Sequence, residues 1–151
     1  MHLAYFTGVR DYRGFDDREG WRHGVAHGSD LLLQLALNPA LGRPELTRIR
    51  DAIATQLAPE AHFYTYGESE RMSRLLIFIA QREIFSAEDW QAWLARETAV
   101  NADAYASQAG LSRRHNMMMF LSLLHMQANL NQNEADNVLL PGARAALLAL
   151  P

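Results

Sequence analysis

Residues 20–39, GWRHGVAHGSDLLLQLALNP, decide the fold class of this chain. Leucine and alanine dominate the stretch, a glycine opens it, and Asn38-Pro39 ends it because the residue before a proline avoids the helical conformation. We therefore predict a helix from Trp21 to Leu37. Because most faces of this helix are apolar, we expect it to lie at the centre of the fold rather than on the surface.

Helical spacing continues on the carboxyl side of this stretch. Pro44 suits the first position of a second helix, which apolar residues then follow at helical intervals. The aromatic-rich residues 59–67 are expected to form a loop, and a third helix is predicted from Glu68 to about Arg82. Ser86, with Asp89 three residues later, has the spacing of a capping box and opens a fourth helix.

The last third of the chain gives weaker signals. A short, weakly periodic helix is expected over residues 99–108, Ser112 is expected to cap a long helix, and Pro141 is expected to start a last short one. Strict alternation of apolar and polar residues is missing, so no strand is predicted. The predicted fold is all-α: one helical domain, residues 1–151, of antiparallel helical pairs that can form a degenerate HEAT-like α-α superhelix.

Composition narrows the classes of function. The 151 residues carry a net charge of −3 and include no cysteine, which excludes disulfides, thiolate metal sites and cysteine nucleophiles. All 14 residues counted as Lys or Arg are arginine. The acidic balance argues against a nucleic-acid partner, and no apolar stretch is long enough for a membrane partner. Without a recognisable secretory signal, we expect the protein in the cytoplasm.

A polar stripe interrupts the apolar helix. At 100° per residue, His23, His27, Asp30 and Gln34 fall within about 60° of one another. Burying such groups without partners costs roughly 1–3 kcal/mol each, so the stripe must meet partners or solvent. We expect His23, His27 and Asp30 to be largely buried in a hydrogen-bond network.

The stripe is also compatible with a divalent metal ion. His23 and His27 are four residues apart, a spacing at which both imidazoles can reach one ion. Asp30 could be a third ligand or orient a histidine, and Glu68 or Asp11 could complete the set. The glutamate that follows the first histidine in zinc metalloproteases is absent, which removes the general base of a protease.

Two further segments carry charged side chains that could reach the stripe. Glu68 and Arg71 share one face at the start of the third predicted helix. They form either a capping carboxylate and a surface pair, or a site in which Arg71 turns inward and binds Asp30 or Asp11 bidentately. Asp11 and Arg13 precede a glycine just before the stripe, and they either close a pocket over it or form an ordinary solvated turn.

These segments together resemble a bacterial family, domain of unknown function 2785. The resemblance covers nearly the whole chain, and its most specific part is the motif Trp21-x-His23-x-x-Ala26-His27-x-x-Asp30. It continues in DYRGF at 11–15, YGESER at 66–71, His115-Asn116 and Phe120-Leu121. The resemblance implies an all-helical fold and no established activity. It also implies a helical segment before this block, so we expect a short version or the C-terminal part of a longer family domain.

The residues favour a helical scaffold or binding module over an enzyme. The expected pocket would bind a small polar ligand or a protein segment, and its residues would be His23, His27, Asp30, Glu68, Arg71, Asp11 and Arg13. The alternative is a metal-dependent, hydrolytic enzyme with His23 and His27 as ligands. We also expect a homodimer through an apolar helical surface, because few helices remain to cover the helix at 21–37.

Overall fold

The structure is a computed structural model that describes residues 2–151. Its helices are α1 (His2–Thr7), α2 (Gly24–Ala36), α3 (Arg43–Ala54), α4 (Glu68–Ala80), α5 (Ala87–Glu97), α6 (Gln108–Leu130) and α7 (Leu140–Leu148). Two short antiparallel strands, β1 (Phe15–Asp16) and β2 (Gly20–Trp21), precede α2, and 3-10 turns cover Ala104–Ala106 and Glu134–Leu139. Within residues 2–151, no helix combines the length and the apolar character needed to cross a bilayer. The predicted all-α class is confirmed, with the small hairpin as its one addition.

The consecutive helices α2–α3, α4–α5 and α6–α7 alternate between two layers, and we call each such pair a helical hairpin. α6 packs extensively on α7, whereas α2 touches α3 only lightly and α4 makes no substantial contact with α5. α2, α4 and α6 lie next to one another in one layer, where α4 packs extensively on both neighbours. α2 and α4 run in the same direction, since His23 meets Glu68 near the start of both helices and Arg82, just after α4, meets the carbonyl of Ala36 at the end of α2. α6 is parallel to α4, because Glu68 lies beside His115 and Met119 in the first half of α6, whereas Gln81 lies beside Gln127 and Asn131 at its end. α3, α5 and α7 form the second layer, in which Trp93 Nε1 donates to Asp51.

One arginine connects the first hairpin to the second. Arg82 follows α4 and donates hydrogen bonds to the backbone oxygens of Ala36, Asn38 and Leu41, at 2.5, 3.1 and 3.0 Å. These oxygens belong to the end of α2 and the loop that leads into α3. A cation at the carboxyl end of a helix satisfies carbonyls that have no partner within the helix.

Helix α1 covers the apolar helix that the sequence singles out. Phe6 is fully buried and packs against Gly28 of α2, where a Cβ would lie 2.6 Å from its ring. Leu32 and Ala36 of α2 are fully buried in the same core. The expectation that too few helices remain to cover this helix is therefore wrong, because the N-terminal residues fold back over α2.

The second layer contains a buried arginine surrounded by aromatic rings. The guanidinium of Arg50 lies 4.4 Å from the ring centroid of Phe85 and 5.5 Å from the rings of both Trp90 and Trp93. Its Nε and Nη1 have no hydrogen-bond partner in the described part of the chain, and burial lowers the pKa of the guanidinium. Cation–π contact and the weak attraction of Asp51, 3.7 Å away, are what hold this charge in place.

Several predicted helix boundaries are confirmed. α4 begins at Glu68, and Pro44 lies in the first turn of α3. Ser86 and Asp89 form the expected capping box: Asp89 Oδ2 accepts from the Ser86 N–H at 2.9 Å, and Ser86 Oγ accepts from the Asp89 N–H at 3.2 Å. α7 begins at Leu140, one residue before the proline that predicts it.

Other boundaries are wrong. α2 begins at Gly24 instead of Trp21, because residues 20–21 pair with 15–16 as a strand. The long helix α6 is capped by Ser107, whose Oγ accepts from the Gly110 N–H at 3.0 Å, while Ser112 lies inside it. The helix predicted over 99–108 is reduced to one 3-10 turn. α1 and the turn Glu134–Leu139 carry no periodicity long enough to predict them.

Candidate binding site

Three exposed aromatic rings lie together at the amino-terminal ends of α2 and α4. Phe15, Trp21 and Tyr66 are 44%, 57% and 45% exposed. The ring centroids of Phe15 and Trp21 are 5.3 Å apart, and those of Trp21 and Tyr66 are 6.0 Å apart in an edge-to-face arrangement. We call Phe15, Trp21 and Tyr66 the aromatic patch.

The hairpin before α2 positions two of these rings. Asp16 Oδ1 accepts the N–H groups of Arg18 and Glu19, which closes the turn, and Gly20 adopts a φ of 72° that favours glycine. The resulting register places Phe15 opposite Trp21 across the strands. Cross-strand aromatic pairs of this kind stabilise a two-stranded sheet.

A buried histidine lies beneath the patch. The side chain of His23 is 10% exposed, and its ring stacks on Trp21 at a centroid distance of 4.9 Å. Its Nε2 lies 3.4 Å from Glu68 Oε1, too poorly aligned for a hydrogen bond. Glu68 is also buried, and its Oε2 accepts the backbone N–H of Tyr66 at 3.0 Å. Glu68 therefore links the histidine to the loop that carries the third ring, from a helix start that favours a carboxylate.

The polar stripe of α2 continues past the patch but is more open than predicted. Arg71 Nη1 donates to Asp30 Oδ2 at 2.5 Å, which confirms an ion pair between α4 and α2. The pair is neither bidentate nor inward, because it has one hydrogen bond and its side chains are 41% and 40% exposed. His27 is exposed, and its ring meets that of His23 edge-on at 5.8 Å. The prediction of burial is thus right for His23 and wrong for His27 and Asp30. Trp21 stacks on His23 and Glu68 lies beside it, whereas His27 is exposed and the Asp30 side chain is 40% exposed.

Asp11 and Arg13 brace the hairpin from outside. Arg13 donates to both carboxylate oxygens of Asp11, at 2.9 and 2.6 Å, and also contacts Glu19, which in turn binds Arg22. These hydrogen bonds lower the pKa of Asp11 to about 2. The side chains of Asp11 and Arg13 are half-exposed, so they form the ordinary solvated turn and do not close a pocket over His23.

Residues 2–151 contain no group of three or more histidine and carboxylate side chains placed to hold a metal ion. His23 is directed at Glu68, whereas Asp30 is occupied by Arg71. Among the residues of the metal hypothesis, His23 and Glu68 thus belong to one contact, Asp30 to a second and Asp11 to a third with Arg13, while His27 takes part in none of them.

The three rings of the patch are not predicted from the sequence. Trp21 and Tyr66 stand out there only as members of the motifs that surround His23 and Glu68, because strands of two residues are too short to show alternation. The signal that could have found them is the sequence DDREG at 16–20, a turn between two aromatic residues.

Comparison with known protein families settles the affiliation of the chain. Residues 1–126 match the model of a family described as "Protein of unknown function (DUF2785)". The chain belongs to the DUF2785 family. The match includes the hairpin, α2, α4 and therefore every residue of the aromatic patch and the polar contacts beneath it. No curated protein and no solved structure matches this DUF2785 chain.

Proposed function

We propose that this DUF2785 protein is a helical binding module that takes a segment of another protein onto the aromatic patch. The observation that carries the proposal is the joint exposure of Phe15, Trp21 and Tyr66 at one end of the helical layer. Aromatic side chains are enriched at the centres of protein interfaces and supply much of their binding energy. Exposed apolar clusters surrounded by polar groups are typical interaction sites.

The shape of the patch favours a protein segment over a small polar ligand. Small-molecule sites are concave and enclose most of the ligand surface. Here the rings offer open faces, and Trp21 stacks on His23 from one side only. An apolar side chain of an extended segment can lie across these faces, while its backbone meets the half-exposed Asp30 and Arg71.

The polar residues beneath the patch hold its rings in place. Glu68 fixes the Tyr66 backbone, and the buried His23 restricts the Trp21 ring. A surface whose side chains are ordered before binding loses less entropy when the partner arrives. Stacked helical hairpins of the HEAT-like kind commonly present extended surfaces to protein partners, which supports the same function.

The test uses peptides selected from a displayed random library on the full chain. Trp90 and Trp93 are buried, so collisional quenching of tryptophan fluorescence reports Trp21. A selected peptide should protect Trp21 from the quencher. Calorimetric titration measures the affinity in every variant, since Trp21→Ala removes the fluorescent reporter. Trp21→Ala and Tyr66→Ala should each weaken peptide binding by about tenfold or more, as expected for central aromatic residues.

Tyr105→Ala is the matched control, because Tyr105 is at least as exposed as Trp21 and Tyr66 but lies beside the carboxyl terminus. It should leave peptide affinity unchanged. Peptides that bind all three variants as tightly as the unchanged protein would show that the patch is not the binding surface.

A further inference from the structure

Helix α6 carries an apolar stripe on its solvent face. Met119, Met126 and Leu130 are 38%, 47% and 65% exposed, and Leu123 between them is partly buried. The intervals of four, three and four residues are those of a coiled-coil seam. The opposite face of α6 packs into the core through Phe120, Leu124 and Ala128. We call Met119, Leu123, Met126 and Leu130 the α6 stripe.

The helix around this stripe is uncharged. Residues 115–130, HNMMMFLSLLHMQANL, contain no Asp, Glu, Lys or Arg. A partner that covers the stripe therefore buries no charge of α6, and two copies of it would not repel each other. Burying unpaired charges is the main cost that such an interface has to avoid.

Two opposite charges flank the stripe on the neighbouring helix α4. Glu70 shares a cavity of about 430 Å³ with Met119 and Leu123, near the first half of the stripe. Arg74 shares a cavity of about 270 Å³ with Gln127 and Asn131, near the second half. Both side chains are exposed, and neither forms an ion pair with any residue of the described chain.

We propose that the α6 stripe joins two copies of this chain, face to face and antiparallel, around a two-fold axis. A rotation centred between Leu123 and Met126 places Met119 opposite the partner's Leu130 and Leu123 opposite the partner's Met126. The same rotation keeps the two α4 helices on one side and places Glu70 of each copy against the partner's Arg74. The surface is thus complementary to itself in both shape and charge, which a two-fold interface requires.

The alternative arrangements use these features less well. A parallel two-fold pairing sets each residue of the stripe against its own copy and moves the two α4 helices to opposite sides, so Glu70 and Arg74 stay unpaired. A different protein would need its own matching seam and charges, whereas a second copy supplies both.

Sedimentation velocity of the full chain, from micromolar to submillimolar concentration, measures the association. The unchanged protein should show a concentration-dependent monomer–dimer equilibrium. Met126→Glu should weaken dimerisation at least about tenfold, because two glutamates would enter the seam without partners. Leu148→Glu is the control: it changes an exposed apolar residue of α7 and should have no effect.

A charge exchange tests the geometry itself. Glu70→Arg and Arg74→Glu should each weaken self-association, because each places like charges opposite one another. A mixture of the two variants should form a heterodimer, since every opposed position then carries an arginine and a glutamate.

The inference is overturned if the unchanged chain stays monomeric over the whole range. It is equally overturned if Met126→Glu associates as strongly as the unchanged chain. A mixture of the charge variants that associates no better than either alone would reject the antiparallel arrangement. A chain that unfolds on substitution is identified by circular dichroism, and Leu130→Glu, at the most exposed position of the stripe, then replaces it.

Discussion

The ring of Tyr66 fills the space that a side chain on residue 14 would need. A Cβ on Gly14 would lie 1.9 Å from Cδ2 of Tyr66, closer than any two such atoms can approach. The third ring of the aromatic patch can therefore occupy its place only because residue 14 is glycine.

Gly14→Ala should displace Tyr66 from the patch. Since the ring is half-exposed it can swing outward, so we expect a loss of stability of about 1 kcal/mol or less and a clear loss of peptide affinity. Urea unfolding and peptide titration measure the two effects. Gly42→Ala is the control, because its Cβ would meet no atom closer than 3.7 Å; equal behaviour of the two variants would contradict the packing argument.

The Asp30–Arg71 ion pair should contribute little to stability. Both side chains are about 40% exposed, and pairs with such access to water are typically worth about 0.2–1 kcal/mol. A double-mutant cycle with Asp30→Asn and Arg71→Gln, followed by urea unfolding, measures the coupling. A coupling energy of roughly 3 kcal/mol or more, the scale of a buried pair, would be inconsistent with this geometry.

Asp11 should titrate well below an ordinary aspartate. Hydrogen bonds from Arg13 hold its pKa at about 2, against a usual value of 3.8. Because the pKa is depressed in the folded state, the contact stabilises the fold above the unfolded pKa, and this contribution is lost as the pH falls toward about 2. Carboxyl carbon shifts followed by NMR against pH report the value. Arg13→Ala should return it toward 3.8, and an unchanged midpoint would exclude Arg13 as the cause.

Arg50 should be replaceable by methionine but not by alanine. Methionine fills the same space against the rings and needs no hydrogen bonds, so Arg50→Met should change stability by about 1 kcal/mol or less. Arg50→Ala leaves a cavity beside Phe85, Trp90 and Trp93 and should cost about 2–4 kcal/mol. Thermal or urea unfolding compares the two. Equal losses would mean that the charge, and not the volume, is what matters.

The sequence predicts the helical layers well because they depend on local rules. The capping box at Ser86 and Asp89, the start of α4 at Glu68 and the stop at Asn38-Pro39 each follow from a few adjacent residues. The Arg71–Asp30 ion pair also follows from the sequence, because Arg71 shares a helix face with Leu75 and that face meets α2. Its exposure does not follow, since helical spacing does not show how far the pair lies from the rim of the interface.

The patch could not be predicted because it depends on long-range placement. A strand of two residues has no periodicity, so the hairpin that turns Trp21 onto His23 leaves no pattern in the sequence. Helical periodicity likewise places His23 and His27 on one face of the helix. In the structure the helix begins after His23, the two rings lie at right angles, and only His27 is exposed.

The three hydrogen bonds of Arg82 influence which helices unfold together in local unfolding. Where each helical hairpin contacts mainly its neighbours, the strength of the interface between two hairpins decides how far local unfolding spreads along the chain. Arg82 joins the first and second helical hairpins by donating hydrogen bonds to carbonyls at the end of α2 and within the α2–α3 loop. Amide protons of α2 and α4 should therefore exchange with solvent as one cooperative unit. Without the guanidinium of Arg82, α1 to α3 would be free to unfold locally on their own. The β1–β2 hairpin, which carries Trp21, would then unfold with them.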